Sequence, residues 1–191
     1  MIEPKIVISD DIVRDVERFA DAQVDTVVEH YKERYQFNID KMTDDIIVGK
    51  LGEFAVYNYL KNSKHGCTKP DLKVYPKEEK RFKSDLIYGR WRMCVKSQSM
   101  EQSKVFGLSW TFQSGGNGVG HRDHILDGVV KWMFAGCLVD GNTVYIKTII
   151  PMEIVLDEGV LKEPKMSIYY GVKKVLYHKD LEDMDIIMVC A

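Results

Sequence analysis

The chain has 191 residues, of which 45% are hydrophobic and 29% charged, a composition that allows one folded core and excludes a disordered polymer. The sequence contains no run of about 18 apolar residues, so no membrane span is predicted. The formal net charge of −2 argues against a uniformly basic nucleic-acid binder, but residues 61–104 carry 12 basic and five acidic side chains, so an anion would dock there. The alternative is that this lysine-rich stretch is a solvated loop.

The first residues, MIEPKIVISDD, show neither the basic region nor the apolar run of a secretory signal. The four cysteines lie far apart without C-x-x-C spacing, which suits free thiols in a reducing compartment. We therefore expect a cytoplasmic protein without a membrane partner.

Two helices are predicted in the first third of the chain. Over residues 10–35 apolar side chains recur at steps of three and four, which is typical of an amphipathic helix, and two aspartates stand at its start. A second helix is expected from Thr43 to about Leu60. It contains Gly49 and Gly52, each of which costs a helix interior roughly 1 kcal/mol relative to alanine, so we expect close packing on a sheet there.

After a loop the hydrophobic period changes to two. DLIY and RWRMCVKSQ, on either side of Gly89, predict a hairpin or two adjacent strands. Residues 106–113 alternate between apolar and polar side chains, as in a strand with one buried face. VVKWMFAGCLV and TVYIKTII flank a DG turn and predict a second hairpin, followed by a short helical segment from Pro151 and a last strand in YYGVKKVLYH. This order of elements indicates a mixed α+β (α/β) fold without repeats.

Charged residues interrupt the apolar elements at three places. Glu53 stands among apolar residues of the second helix, Asp85 opens the first strand of the hairpin, and Lys96 lies near the end of the next strand. Because side chains alternate along a strand, Cys94 and Lys96 share one face, and Asp85 can lie near that face across the pair. Taken alone, Glu53 could instead face water and pair with Lys50.

The chain resembles the PD-(D/E)XK nuclease superfamily, which has the restriction-endonuclease-like fold. The resemblance lies in the order of three features: a helix glutamate, the acid of SDL and a strand ending in VKSQ. The resemblance covers about residues 42–155 and is sharpest over residues 84–98. It implies a central mixed β-sheet flanked by helices. It also implies a single domain over residues 1–191, with an N-terminal helical extension (1–40), a catalytic core (42–155) and a C-terminal closure (156–191).

The resemblance also implies a chemistry. Asp85 and Glu53 would bind Mg²⁺ (or Mn²⁺), and Lys96 would position or deprotonate the attacking water. Ser97 and Gln98 correspond to the polar residues that commonly follow this lysine and touch the scissile strand. We therefore expect a metal-dependent endonuclease that hydrolyses phosphodiester bonds of duplex DNA, either restriction-like or a phage or repair nuclease. Cutting both strands usually takes two centres, so a homodimer is expected.

The chain departs from the family at Cys94, which occupies the place of the second acid. A thiol is a soft ligand, whereas Mg²⁺ prefers hard oxygen donors. Either Glu53 takes over, or the site has decayed and a catalytically weakened, DNA-binding protein remains. The proline of the family name is also missing, since Ser84 precedes Asp85. A literal Pro-Asp pair ends at Asp71, which is a secondary candidate.

Basic residues around the proposed centre would contact phosphates without reading sequence. The substrate-binding candidates among them are Lys83, Arg92 and Lys104. The glycine-rich loop over residues 114–124 could enter a groove of the DNA, or it could be a mobile connection between strands.

Other interpretations stay open. A zinc site is conceivable, although its ligands would be loosely spaced. Its members would be His65, Cys67, His121 and His124. Cys94 could be a nucleophile paired with one of the two latter histidines, and Trp110 could stack on a base, although a core position is the ordinary place for a tryptophan. The last alternative is an interaction protein that docks a partner through its acidic N-terminal helix.

Overall fold

The computed structural model describes residues 3–32, 37–75, 84–115, 122–128 and 131–182. The protein has a mixed α+β fold, as the order of the predicted elements indicates. Within these ranges no helix is both long and apolar enough to cross a membrane.

Polar side chains at the N-termini of the two long helices favour the start of each helix. Helix α1 covers Asp10–Lys32, and its first turn carries two aspartates at the positive end of the helix dipole. Helix α2 covers Ile39–Leu60 and begins four residues before the predicted start. The earlier start has a local cause, because the Asn38 side chain accepts a hydrogen bond from the Lys41 amide at 3.0 Å and caps the helix.

Seven strands are present in the described part of the chain. They are β1 (Lys5–Val7), β2 (Leu86–Tyr88), β3 (Trp91–Ser99), β4 (Ser109–Gln113), β5 (Trp132–Asp140), β6 (Thr143–Pro151) and β7 (Lys173–Tyr177). Five of them form a mixed sheet in the order β1-β6-β5-β3-β2, while β4 and β7 pair separately. Strands β3 and β5 run parallel, and the other pairs are antiparallel. Both predicted hairpins are confirmed.

Two features of the chain were not expected from its sequence. The N-terminal segment, expected as a helical extension, also contributes the edge strand β1, which pairs with β6. A short helix, α3 (Met100–Phe106), occupies the place where a strand was predicted to begin. The Ser99 side chain accepts a hydrogen bond from the Gln102 amide at 3.2 Å and caps this helix, so the chain enters β4 only at Ser109.

Four further short helices lie in the described residues. They are two 3-10 helices (His124–Asp127 and Ser167–Tyr169), α4 (Met152–Asp157) and α5 (His178–Glu182). The predicted helical segment after Pro151 is therefore confirmed as α4, and the predicted last strand is confirmed as β7.

Apolar clusters cover both faces of the central sheet. On one face α1 and α2 pack over Met93 and Val95 of β3. On the other face Trp110 and Phe112 of β4 pack over the sheet, and Cys94 lies against this second cluster. The alternation predicted for β3 is thus confirmed, with one half of its side chains directed toward the helices and the other half toward β4.

Two glycines allow close approaches at the middle of the sheet. A Cβ atom at Gly52 of α2 would lie 1.9 Å from Ser97 Oγ, and one at Gly136 of β5 would lie 2.5 Å from a ring carbon of Trp110. The expectation of close helix-to-sheet packing is therefore confirmed for Gly52. It is wrong for Gly49, since a Cβ there would meet nothing within 4 Å.

Candidate active site

The candidate site lies where β2 begins, at the edge of the central sheet. Asp85 precedes β2 and continues its pairing with β3, because its amide donates to the Met93 carbonyl at 3.0 Å. The Asp85 side chain adds a second contact with β3. Asp85 Oδ2 accepts a hydrogen bond from the Val95 amide at 2.7 Å, so the carboxylate is fixed in position against β3.

Helix α2 brings a second carboxylate to the same edge. Glu53 is 7% exposed and lies one residue after the glycine that allows α2 to approach β3. Its Oε2 accepts a hydrogen bond from Lys50 Nζ at 2.8 Å, one helical turn earlier. The alternative pairing of Glu53 with Lys50 is therefore present, but it occurs in a largely buried setting rather than in water.

The two carboxylates are close enough to repel each other. Burial raises the pKa of Glu53 to about 8, and the negative charge of Asp85 adds to this shift, while Lys50 opposes it. Burial also raises the pKa of Asp85, against the Val95 hydrogen bond and the charge of Lys96. Two acids held with raised pKa values at one edge of a sheet are typical of functional sites.

Lys96 lies on the β4 side of β3 and is paired with an acid that the sequence analysis did not select. Its Nζ donates to Asp123 Oδ2 at 2.8 Å and lies 5.3 Å from the centre of the Phe112 ring. Burial opposes the charge on Lys96, but Cys94 in its ionised form and the negative charges of Asp123 and Asp85 outweigh this effect, and the pKa of Lys96 lies above its ordinary value. Lys96 is therefore a cation at neutral pH.

Cys94 lies among these groups as a neutral side chain. Burial raises the pKa of its thiol, and the nearby carboxylates of Asp85 and Asp123 outnumber the single opposing charge of Lys96. Because the thiolate is the nucleophilic form of cysteine, this environment does not suit the alternative of a Cys94 nucleophile.

The two polar residues after Lys96 have structural contacts. Ser97 faces α2, and its buried hydroxyl has no hydrogen-bond partner among the described residues. Gln98 is 7% exposed, and its Oε1 accepts a hydrogen bond from the Ser109 amide at the start of β4. The structure therefore places both side chains inside the protein, whereas contact with a scissile strand, as predicted, requires a surface position.

The basic candidates lie at the surface around the site. Arg92 is exposed on β3, with its guanidinium 6.0 Å from the Trp132 ring centre, and Lys104 is exposed on α3. Lys83 lies outside the described residues. The structure thus leaves the first two free to meet a polyanion on the solvent side.

The remaining candidates are placed as follows. Asp71 is exposed, and its carboxylate accepts hydrogen bonds from the Lys73 amide and the Tyr75 hydroxyl, each at 2.8 Å. It remains near enough to Glu53 to influence the pKa of that residue. Trp110 is 2% exposed and so is a core residue rather than a surface for base stacking.

The zinc alternative finds no support in the described residues. His65 packs against the Tyr88 ring, Cys67 Sγ lies 3.7 Å from the Thr68 carbonyl, and His121 lies outside the described residues. The described part of the loop after β4 is not a loose connection. Arg122 holds it through Asp127 and the carbonyls of Ser114 and Leu126.

A hard divalent cation is compatible with the donor set, although only two acids supply it. Within the described ranges no group of three His, Cys, Asp or Glu side chains is arranged to hold a metal ion. Mg²⁺ commonly uses one or two protein carboxylates and completes its shell with water and substrate phosphate. A cation between Glu53 and Asp85 would also relieve the repulsion of these buried acids.

Asp123 and Lys50 are the functional candidates that sequence reasoning missed. Asp123 is 27 residues from its partner, within a loop that was considered for its basic side chains only. The one available signal was an acid in a glycine-rich loop after a strand, which is too common to select a residue. Lys50 was considered only as a surface partner of Glu53.

Comparison with protein-family models, characterised proteins and solved structures found no significant match to this chain. The resemblance to the PD-(D/E)XK nucleases therefore depends on the motif residues of the sequence alone.

Proposed function

We propose that the protein is a metal-dependent nuclease that hydrolyses phosphodiester bonds of DNA, built on a restriction-endonuclease-like arrangement. The observation that carries this proposal is the meeting of three charged residues from separate elements at one sheet edge. Glu53 on α2 interacts with Asp85 at the start of β2, and Asp85 interacts with Lys96 on β3. These three residues correspond to the helix acid, the first strand acid and the lysine of the nuclease superfamily, in the same order along the chain, while Cys94 stands in place of the second acid.

Glu53 and Asp85 would hold Mg²⁺, or Mn²⁺ in its place. A bound divalent ion of this kind polarises a phosphoryl oxygen and lowers the pKa of its water. The protein's own contribution is to fix the two carboxylates before the ion arrives. Asp85 is fixed by the Val95 amide and Glu53 by Lys50, so neither has to be ordered on binding.

Lys96 would stabilise negative charge on the scissile phosphate. A protonated ammonium has three hydrogen-bond donors, and Asp123 takes one of them, so others can reach a phosphate oxygen. Of the two roles that the family resemblance allows, positioning by a cation therefore suits this lysine better than removal of a proton from water. Arg92 and Lys104 would bind phosphates on either side of the cut.

A plasmid-nicking assay with and without Mg²⁺ tests the proposal. We expect relaxation of supercoiled DNA that requires the metal and falls at least 100-fold in Lys96→Ala and in Asp85→Asn, since removal of a charge at the transition state commonly costs about this much. Lys179→Ala is the matched control, because it removes an exposed lysine of α5, a helix that carries none of the motif residues. Its activity should equal that of the wild type.

A DNA-binding module without cleavage is the second candidate, favoured by one observation. The neutral thiol of Cys94 stands where the superfamily has an acid, which reduces the negative charge available to a metal. DNA retention that weakens with salt, without nicking under any divalent metal, would support this candidate and contradict the nuclease. Failure to bind any nucleic acid at low salt would contradict both and leave the interaction-protein alternative.

A further inference from the structure

Lys96 is held by an acid that comes from a distant part of the chain. The Nζ–Oδ2 distance to Asp123 is 2.8 Å, and the two side chains are 28% and 26% exposed, so the pair lies partly out of water. The ring of Phe112 lies below the ammonium group. An ion pair in such a place is stronger and more precisely oriented than a pair on the open surface.

Asp123 is itself fixed before it meets Lys96. Its Oδ2 also accepts a hydrogen bond from the Gln113 amide at 3.1 Å, and its own amide donates to the Gln113 carbonyl at 2.9 Å. The neighbouring Arg122 ties the same segment to Leu126 and Asp127. The acid is therefore held against β4 by hydrogen bonds of its own side chain and amide, in addition to its pair with Lys96.

The position that would otherwise supply this charge is Cys94. Residues 94 and 96 share a face of β3, so an acid at 94 would lie beside the ammonium of Lys96. The thiol found there is neutral and cannot balance a cation. Asp123, in the segment that follows β4 and bonded to the end of that strand, reaches the same ammonium.

We propose that Asp123 is a positioning residue for Lys96, and that it takes the place of the carboxylate absent at Cys94. This inference depends on the proposed nuclease function for its catalytic consequence. Asp123 keeps the ammonium of Lys96 protonated and oriented, so that Lys96 binds the phosphate as a cation. In this role its Oδ2 stays on the ammonium of Lys96 and on the Gln113 amide rather than on a metal ion.

The first test does not require activity. With ¹³C-labelled lysine, the Cε signal of Lys96, assigned from its absence in Lys96→Ala, is followed against pH in the wild type and in Asp123→Asn. The groups that influence Lys96 are Asp123, Asp85 and Cys94. In Asp123→Asn the charge of Asp123 no longer offsets the effect of burial on the Lys96 ammonium. The titration midpoint of Lys96 should therefore fall by about one pH unit or more. An unchanged midpoint would overturn the inference.

The second test measures catalysis. We expect Asp123→Asn to lower kcat about 10- to 100-fold with little change in KM, because the phosphate contacts that bind DNA remain. Adding Cys94→Asp to Asp123→Asn should restore at least part of kcat and of the Lys96 midpoint, since it returns an acid to the ammonium. Asp127→Asn is the matched control for a disturbed loop, because Asp127 lies in the same segment and pairs with Arg122 rather than Lys96.

The outcomes separate the two proposals. A wild type that cleaves, with Asp123→Asn equal to it in kcat and in the Lys96 midpoint, overturns the positioning role and leaves the nuclease intact. An equal loss in Asp127→Asn also overturns it, since the loop and not the ion pair would then matter. A wild type that does not cleave contradicts the nuclease, while the Lys96 midpoint still decides whether Asp123 controls this lysine. If Asp123→Asn does not fold, Asp123→Glu, which keeps the charge and moves it by one methylene, is compared in the same way.

Discussion

The centre of the sheet and its β2 edge are built on opposite principles. At the centre, Gly136 of β5 admits the Trp110 ring of β4, and Gly52 of α2 admits Ser97 of β3, so apolar and small side chains pack closely there. At the edge, Glu53 and Asp85 are buried close to each other. Side chains at the centre maximise the contact between apolar surfaces. The edge instead retains ionisable groups, although apolar side chains of similar volume could fill the same space.

This difference shows which part of the molecule stability alone explains. Close packing accounts for the small residues at the centre, because each extra atom there would collide with a neighbour. Packing does not account for two neighbouring acids whose pKa values are both raised by burial, since burying an acid costs free energy. A site that binds a cation or a phosphate gives a reason to retain them.

The largest effect is expected at the centre. Gly136→Ala should lower the free energy of unfolding by about 3 kcal/mol, because its Cβ would lie 2.5 Å from a ring carbon of the buried Trp110, which is too large to move aside. Denaturation by urea measures this change. A variant within about 0.5 kcal/mol of the wild type would contradict the packing described here.

The second effect tests the contact between α2 and β3. Gly52→Ala should cost about 2 kcal/mol, because the new Cβ would lie 1.9 Å from Ser97 Oγ. In the double variant with Ser97→Ala most of this cost should disappear, since the hydroxyl that collides is removed and has no described hydrogen-bond partner to lose. A double-mutant cycle gives the coupling energy directly.

Gly49→Ala is the matched control for Gly52→Ala in the same helix. Nothing lies within 4 Å of a Cβ at this position, so the better helix propensity of alanine should raise the free energy of unfolding by about 0.5–1 kcal/mol. Equal destabilisation by the two substitutions would mean that α2 rejects alanine for a reason other than contact with β3. Additive effects in the cycle would likewise contradict a direct Gly52–Ser97 contact.

The third effect concerns the charged edge and depends on pH. The pKa of Glu53 is 4.5 in its ordinary state and about 8 in the folded protein, so the folded state holds this proton more tightly. The resulting stabilisation is complete below pH 4.5 and is lost as the pH rises through about 8. Glu53→Gln removes this dependence, and the difference in unfolding free energy between wild type and variant should change by on the order of 1–2 kcal/mol across that range.

Urea denaturation at several pH values measures this difference, and Glu163→Gln is its control. Glu163 is an acid at the surface with a pKa lowered by its hydrogen bond to Lys174, so its removal should not reproduce the slope of Glu53→Gln. Parallel curves for wild type and Glu53→Gln would show that the carboxylate is not held in a costly environment, and the contrast between centre and edge would then fail.

Local patterns were sufficient to predict the elements whose causes are local. The helical period over residues 10–35 predicted α1, and the alternation around Trp110 predicted β4, although Phe106 ends α3 and the strand begins only at Ser109. The α3 cap at Ser99 is a single hydrogen bond, which competes with a continuing strand and is not visible in the hydrophobic pattern. Strand β1 has three residues, too few for a period to be recognised.

The sequence by itself determined the mixed α+β fold, the two hairpins, and the order in which an acid on a helix, an acid before a strand and a lysine on a strand occur. Those features depend on residue spacing and turn chemistry, which act over a few positions. Only the tertiary structure decided that Ser97 faces α2 and that Asp123 pairs with Lys96. The physical reason is that close packing and ion pairs depend on distance in space, and residues 96 and 123 are brought together by the path of the chain through β4.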